Sequence, residues 1–280
     1  MLNINNLKAL LLLLVLAMLA GCNTTPTTED NTDQISSGGK ALQAYSQPGE
    51  VVHNVVPEIT APVSEPRNMT PAPITDLWQR IRDGYGIPQA MPLHTATQKQ
   101  LDWFVKHPDY IDRVVERARP YLHYIVDQLE QRNMPMEIAL LPIVESGFQP
   151  FAYSHGRAAG IWQFIPGTGR LYGLKQNWWY DGRRDVIAST GAALDYLEKL
   201  YNDFGDWQLA LAAYNSGEGT VGRAIKRNRK ADKATDFWSL DLPKETSAYV
   251  PKLMAVALLV KQPAQYNITL SPIDNSPFLT

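Results

Sequence analysis

The sequence predicts a mainly α-helical protein with at most a small sheet. Three observations carry that prediction. Apolar residues recur at helical spacing in several separate stretches, no alternating strand pattern interrupts the first of them, and no internal repeat of fixed period supports a solenoid. With 280 residues, 45% of them hydrophobic, the chain can bury a substantial core.

Lys8 precedes an apolar run from Ala9 to Ala20 that closes on Leu19-Ala20-Gly21-Cys22. The run is too short for a comfortable membrane span and ends in small residues, so residues 1–21 read as a secretory leader. Residues 22–73 are rich in Thr, Ser, Asn, Gly and Pro. Such a composition buries too little apolar surface to offset its ordering entropy, and an extended, disordered tether is expected.

Helices are expected from residue 74 onward. Ile74, Leu77, Trp78 and Ile81 form an i, i+3, i+4, i+7 stripe that Gly84 and Gly86 end. Thr97 with Gln100 reads as a capping box opening a helix through Leu101, Trp103, Phe104 and Val105, which Pro108 breaks. Pro120 is expected to start the next helix, burying Leu122, Ile125, Val126 and Leu129 and turning His123, Asp127, Glu130 and Gln131 outward. Asn133 stops it. Pro135 suits the first turn of a further helix through Ile138, Ala139, Leu140, Leu141, Ile143 and Val144. Residues 188–201, 207–214 and 247–260 complete the set, with Gly-rich and aromatic-rich loops between them.

Charge and motif content exclude several functions. Lys plus Arg number 26 against 28 Asp plus Glu, so no overall cationic field favours a nucleic-acid partner. One Cys excludes an intramolecular disulfide framework and any multi-cysteine metal site. The five His show no metal-ligand spacing, and there is no Gly-x-Ser-x-Gly elbow or phosphate loop, so neither a metal nor another cofactor is expected. Arg223, Lys226, Arg227, Arg229, Lys230 and Lys233 read as a solvated helix face.

Glu145 is the informative residue, because it ends the apolar run Leu140-Leu141-Pro142-Ile143-Val144. An apolar wall disfavours the charged carboxylate and raises its pKa by about 1 to 2 units if partly buried, as a general acid near neutral pH requires. A helix-end cap or an ion pair with Arg is the alternative. Trp162, Phe164, Tyr172, Trp178, Trp179 and Tyr180 follow, interleaved with Ser154, Gln163 and Asn177. Aromatic faces beside amide and hydroxyl groups suit a sugar ring. Trp78, Trp103 and Trp207 lie on periodic helices and are expected in the core, while Trp178-Trp179-Tyr180 suits cleft or core equally.

Four separated blocks then carry a family resemblance. They are Glu145-Ser146-x-Phe148-x-Pro150-x-Ala152-x-Ser154, Gly160-Ile161-Trp162-Gln163-Phe164-Ile165-Pro166-x-Thr168-Gly169, Ala213-Tyr214-Asn215-Ser216-Gly217-x-Gly219 and Glu245-Thr246-x-x-Tyr249-Val250. In this order they resemble the motifs of family 1 lytic transglycosylases. The resemblance implies a lysozyme-like fold of the goose type, with residues 74–134 as helices packed on a catalytic domain at 135–265. Residues 266–280 read as a C-terminal extension in which none of the LysM modules common in such proteins is visible. It also implies Glu145 as catalytic acid/base, Ser154 and Gln163 as sugar-binding residues, Tyr214 flanking the carboxyl, and Asn215 and Glu245 as further site residues. Arg157 stands where many members have Gly, and Ile165 where many have Met.

The resemblance further implies peptidoglycan as the substrate, cleaved without water to leave 1,6-anhydromuramic ends. An ordinary glycosidase needs two carboxyl groups, and only Glu145 is an obvious candidate; Asp181 and Asp185 are expected to pair with Arg183, Arg184 or helix ends. A lysozyme-type hydrolase and a non-catalytic wall-binding lipoprotein are the other readings. The Leu-x-Gly-Cys ending resembles the bacterial lipoprotein signal, which implies a lipid anchor on Cys22, and Asn23 implies outer-membrane sorting with the protein facing the periplasm. Other cell-wall enzymes are candidate partners.

Overall fold

The computed structural model describes residues 74–278, so the leader, Cys22 and the tether expected at 22–73 lie outside the described residues. Among the described residues helices dominate, and β structure is limited to isolated bridges. Helix α1, Leu77–Asp83, buries Leu77, Trp78 and Ile81 and ends at Gly84. Asp76 caps its start by accepting from the Trp78 N–H, which leaves Ile74 before the helix and exposed rather than in its stripe.

The next helix, α2, spans Thr95–Val105 and is capped by His94, whose ring nitrogen accepts from the Ala96 N–H at 3.2 Å. Thr97 therefore lies inside the first turn and is buried, not at the cap. Pro108 separates α2 from an unanticipated helix, α3, Pro108–Ala118: a proline at the first helical position loses no bond, so the residue that breaks one helix opens the next. Pro120 falls in the following turn. Helix α4, Leu122–Gln131, begins one residue after the Tyr121 carbonyl, which accepts from the Ile125 N–H at 3.1 Å. It buries His123 together with Leu122, Ile125, Val126 and Leu129, so His123 belongs to the inner face.

The run from Pro135 is two short pieces in place of one helix. Met136–Leu140 is a 3-10 helix that continues into α5, Leu141–Glu145. Pro142 lacks the N–H that an unbroken α-helix would donate to Ile138; the tighter Leu141 N–H to Ile138 C=O bond closes the turn there. Glu137 in this piece is buried, and its carboxylate accepts from the Gly86 and Ile87 N–H groups at 3.0 and 2.9 Å. That carboxylate ties the loop after α1 to the segment leading into Glu145.

After a short helix α6, Pro166–Leu171, come α7, Val186–Phe204, and α8, Trp207–Ser216. Asp185 and Asp206 cap these two long helices by accepting from the Ala188 and Leu209 N–H groups, each at 2.9 Å. Helix α9, Glu218–Lys230, turns its basic residues outward as expected. Helix α10, Lys244–Lys261, is buried from Tyr249 to Val260 on nearly every side and packs on α2, α8, α1 and the 3-10 piece. The core therefore forms around α10, and the end of α10 nearest Lys244 meets the end of α5 that carries Glu145.

Candidate active site

Glu145 is the last residue of α5, and the chain turns sharply behind it. Gly147 and Phe148 both adopt left-handed backbone, at φ 59° and 56°. Phe148 tolerates that conformation because its ring is fully buried and fixed by the core. Ser146 braces the turn, donating its hydroxyl to the Ile161 carbonyl at 3.0 Å and accepting from the Gln149 N–H at 3.2 Å.

The Glu145 carboxyl accepts a short hydrogen bond from the Tyr249 hydroxyl, which comes from α10. Burial is the dominant influence on Glu145 and lifts its pKa from 4.5 to about 7; the Tyr249 hydrogen bond and the Lys252 ammonium act in the opposite direction, and Glu245 adds to the rise. Burial likewise pushes the Tyr249 and Tyr214 hydroxyls well above 10.0, so both stay protonated. The result is a carboxyl that keeps its proton near neutrality, oriented by a neutral donor.

A cavity of about 830 Å³ opens over this group, and Glu145, Ser154, Gln163, Tyr214, Asn215 and Glu245 all line it. Tyr214 donates to the Trp162 carbonyl at 2.9 Å, and Asn215 accepts from the buried Thr246 hydroxyl at 2.8 Å, so both are held from behind. Ser154 accepts from the Ala158 N–H at 3.1 Å, and Gln163 donates its side-chain amide to the Gly160 carbonyl at 2.8 Å. Gly160 itself, at φ 83°, sits where any Cβ would collide with the Arg183 carbonyl oxygen. Buried Arg183 pins this loop: it pairs with Asp181 at 2.6 Å and donates to the Arg157 and Phe164 carbonyls at 2.7 and 3.1 Å. Asp181 and Asp185 are thus structural, one in an ion pair and the other at a helix cap.

The aromatic residues sort differently from expectation. Trp162 is fully buried, its indole N–H donating to the Thr190 hydroxyl at 2.9 Å, and belongs to the core. Trp178 and Trp179 are 88% and 90% exposed, belong neither to the core nor to the cavity wall, and pack edge to face on each other. Trp103, expected in the core, is 43% exposed and lines the cavity, because α2 faces the site along one edge. Tyr249 lies within a quoted motif, yet nothing in its spacing marks it as the partner of Glu145. Lys252, three residues on, faces the same cavity; the i, i+3 interval on one helix was the available signal.

A second cavity of about 630 Å³ adjoins the first and shares Val144, Glu145 and Lys252 with it. Exposed Phe151 and Tyr153 stand on its wall. Among the described residues no group of three His, Cys, Asp or Glu side chains could hold a metal ion.

A mainly helical fold, with one proton-holding carboxyl in a groove walled by amides and aromatic rings, defines the class. Residues 124–237 match the family described as Transglycosylase SLT domain, and the chain belongs to that family, with its lysozyme-like helical fold. It is similar to membrane-bound lytic murein transglycosylase D of Escherichia coli (strain K12), at 42% identity over 275 residues, covering 96% of this chain and 57% of that protein. The chain therefore spans a little over half the length of that relative. A protein of Alteromonas sp. (strain M-1) provisionally named for tributyltin chloride resistance is 43% identical over 162 residues, 58% of this chain and 76% of its own length. Among solved structures, an inactive mutant of lytic transglycosylase Slt from Pseudomonas aeruginosa matches at 24% identity and a TM-score of 0.38, covering 52% of this chain and 24% of that one.

Proposed function

We propose that the chain is a peptidoglycan lytic transglycosylase that cleaves the β-1,4 bond between N-acetylmuramic acid and N-acetylglucosamine without water, leaving 1,6-anhydromuramic ends. The observation that carries this reading is Glu145: a carboxyl with a pKa of about 7, on a cavity lined by all six candidate site residues. Protonated Glu145 donates to the glycosidic oxygen as the bond to the muramyl C1 breaks, and the N-acetylglucosamine unit leaves as an alcohol. The substrate's own acetamido oxygen stabilises C1. The Glu145 carboxylate then takes the proton of the C6 hydroxyl, whose oxygen attacks C1 and closes the anhydro ring, so the carboxyl ends as it began. Intramolecular attack of this kind can draw on up to about 7 to 11 kcal/mol of proximity.

Ser154, Gln163 and Asn215 are assigned to sugar contacts, Tyr249 to holding the carboxyl, Tyr214 to flanking it, and Glu245 to the cavity rim. Residues 135–265 are assigned to the catalytic domain and 74–134 to a helical region supporting it. Cleavage of this kind serves cell-wall remodelling. A lipid on Cys22, with residues 22–73 as tether, would hold the enzyme at the outer membrane facing the periplasm. Among the described residues no helix is long and apolar enough to cross a membrane.

Digestion of purified peptidoglycan with mass analysis tests the proposal. The expected products are lighter by one water than those of lysozyme, and Glu145→Gln lowers their release by at least about 10²-fold while leaving the fold intact. Products with reducing ends would instead favour hydrolysis. That second reading has one observation behind it, since Glu245 lines the same cavity and could activate a water.

A further inference from the structure

The second cavity carries two cations, Arg117 and Lys252, and Glu145 is the sole carboxyl among the described residues lining it. Among the described residues neither cation lies within salt-bridge distance of any carboxylate. Both are half-buried. With its amide oxygen turned inward, Gln149 accepts from both terminal guanidinium nitrogens of Arg117 at 3.2 Å, a neutral partner that leaves the charge uncompensated. Burial pulls the Lys252 pKa down, and only Glu145 pulls it up. When Glu145 holds its proton, that counter-charge is gone.

Two partly desolvated cations without a counter-ion are costly, and an arriving anion relieves the cost. The guanidinium fork of Arg117 matches a carboxylate in particular. Phe151 and Tyr153 on the same wall offer aromatic faces for a sugar ring, so the anion is one carried on a glycan.

We propose that Arg117 and Lys252 form a carboxylate-binding site for the acidic arm at C3 of the muramyl ring beside the scissile bond. The inference rests on the transglycosylase reading for its substrate. Two sources share the chemistry: the lactyl carboxylate of a bare strand and the amino-acid carboxylates of a peptide-bearing one.

The test is calorimetric binding to the full chain carrying Glu145→Gln, which prevents turnover. Three muramyl oligosaccharides of equal length are compared: one with free lactyl carboxylates, one with those groups converted to neutral amides, and one bearing peptides. The expected result is that at least one acidic form binds on the order of tenfold more tightly than the neutral amide, the worth of one charge-assisted hydrogen bond. Arg117→Gln should erase that preference, and Arg117→Lys should restore part of it. The acidic form that gains identifies the source. Equal binding of all three, or a preference that survives Arg117→Gln, overturns the proposal. Either result is separable from the catalytic reading, because digestion by the unmodified chain is scored independently by product mass.

Discussion

Glu145 and its immediate neighbours set the chemistry at the scale of single residues. Its folded-state pKa is raised, so the native protein binds that proton more tightly than the unfolded chain does, and stability falls as pH climbs from 4.5 towards about 7. Glu145→Gln has no such loss and should be more stable than the unmodified protein above pH 7, by up to about 3 kcal/mol in denaturant titrations. Activity depends on the folded-state value alone, so it should hold across most of that interval and fall as pH passes about 7, giving kcat/KM an alkaline limb there. Tyr249→Phe removes a bond that favours the ionised carboxylate, which moves this limb to higher pH. Loss of the orienting hydroxyl should at the same time lower kcat by about 10- to 100-fold with little change in KM. A purely structural Tyr249 would leave the limb where it was. The buried carboxyl was legible in the sequence because an apolar run ending in Glu is a local pattern. Tyr249 was not, since its contact joins residues 104 positions apart.

At the scale of elements, the loops and short helices around the site hold conformations that the core stabilises. Arg157 has left-handed backbone at φ 64°, a conformation that Gly adopts without steric cost. Its carbonyl accepts from Arg183, a contact any residue would keep. Arg157→Gly should therefore leave the fold unchanged and stabilise it by up to about 1 kcal/mol, measured by chemical denaturation. Glu137 acts in the opposite sense, because replacing it removes the acceptor of the Gly86 and Ile87 N–H groups, the second of them at a buried residue, and leaves a cavity in the core. Glu137→Ala should cost about 2 to 4 kcal/mol in the same measurement. Periodicity located most of the long helices, but it failed where proline has two meanings. Pro108 both ends α2 and begins α3, Pro120 starts nothing, and Pro142 splits one expected helix into two. Spacing alone does not reveal which carbonyl a proline leaves unpaired.

For the whole molecule, the helical class was readable from pattern, whereas the make-up of the cleft was not. The six candidate residues come from α5, two loops, α8 and α10, and only the fold gathers them on one cavity. Trp103 shows the same limit in reverse: its helix is amphipathic as expected, but a groove runs along the edge where a continuous core was foreseen. The proposed lipid anchor on Cys22 belongs to this scale too. Cys22→Ser should shift the protein from the membrane fraction to the soluble fraction on cell fractionation while purified murein is still digested at the same rate, because the anchor lies far in sequence from the cavity.

Helix α10 supplies both the centre of the core and the hydroxyl that meets Glu145. Heat inactivation should consequently coincide with cooperative melting of the entire helical body, with no partly loosened yet folded species that has merely stopped working. Attempts to make the protein more tolerant of temperature by redesigning this interior would alter turnover at the same stroke.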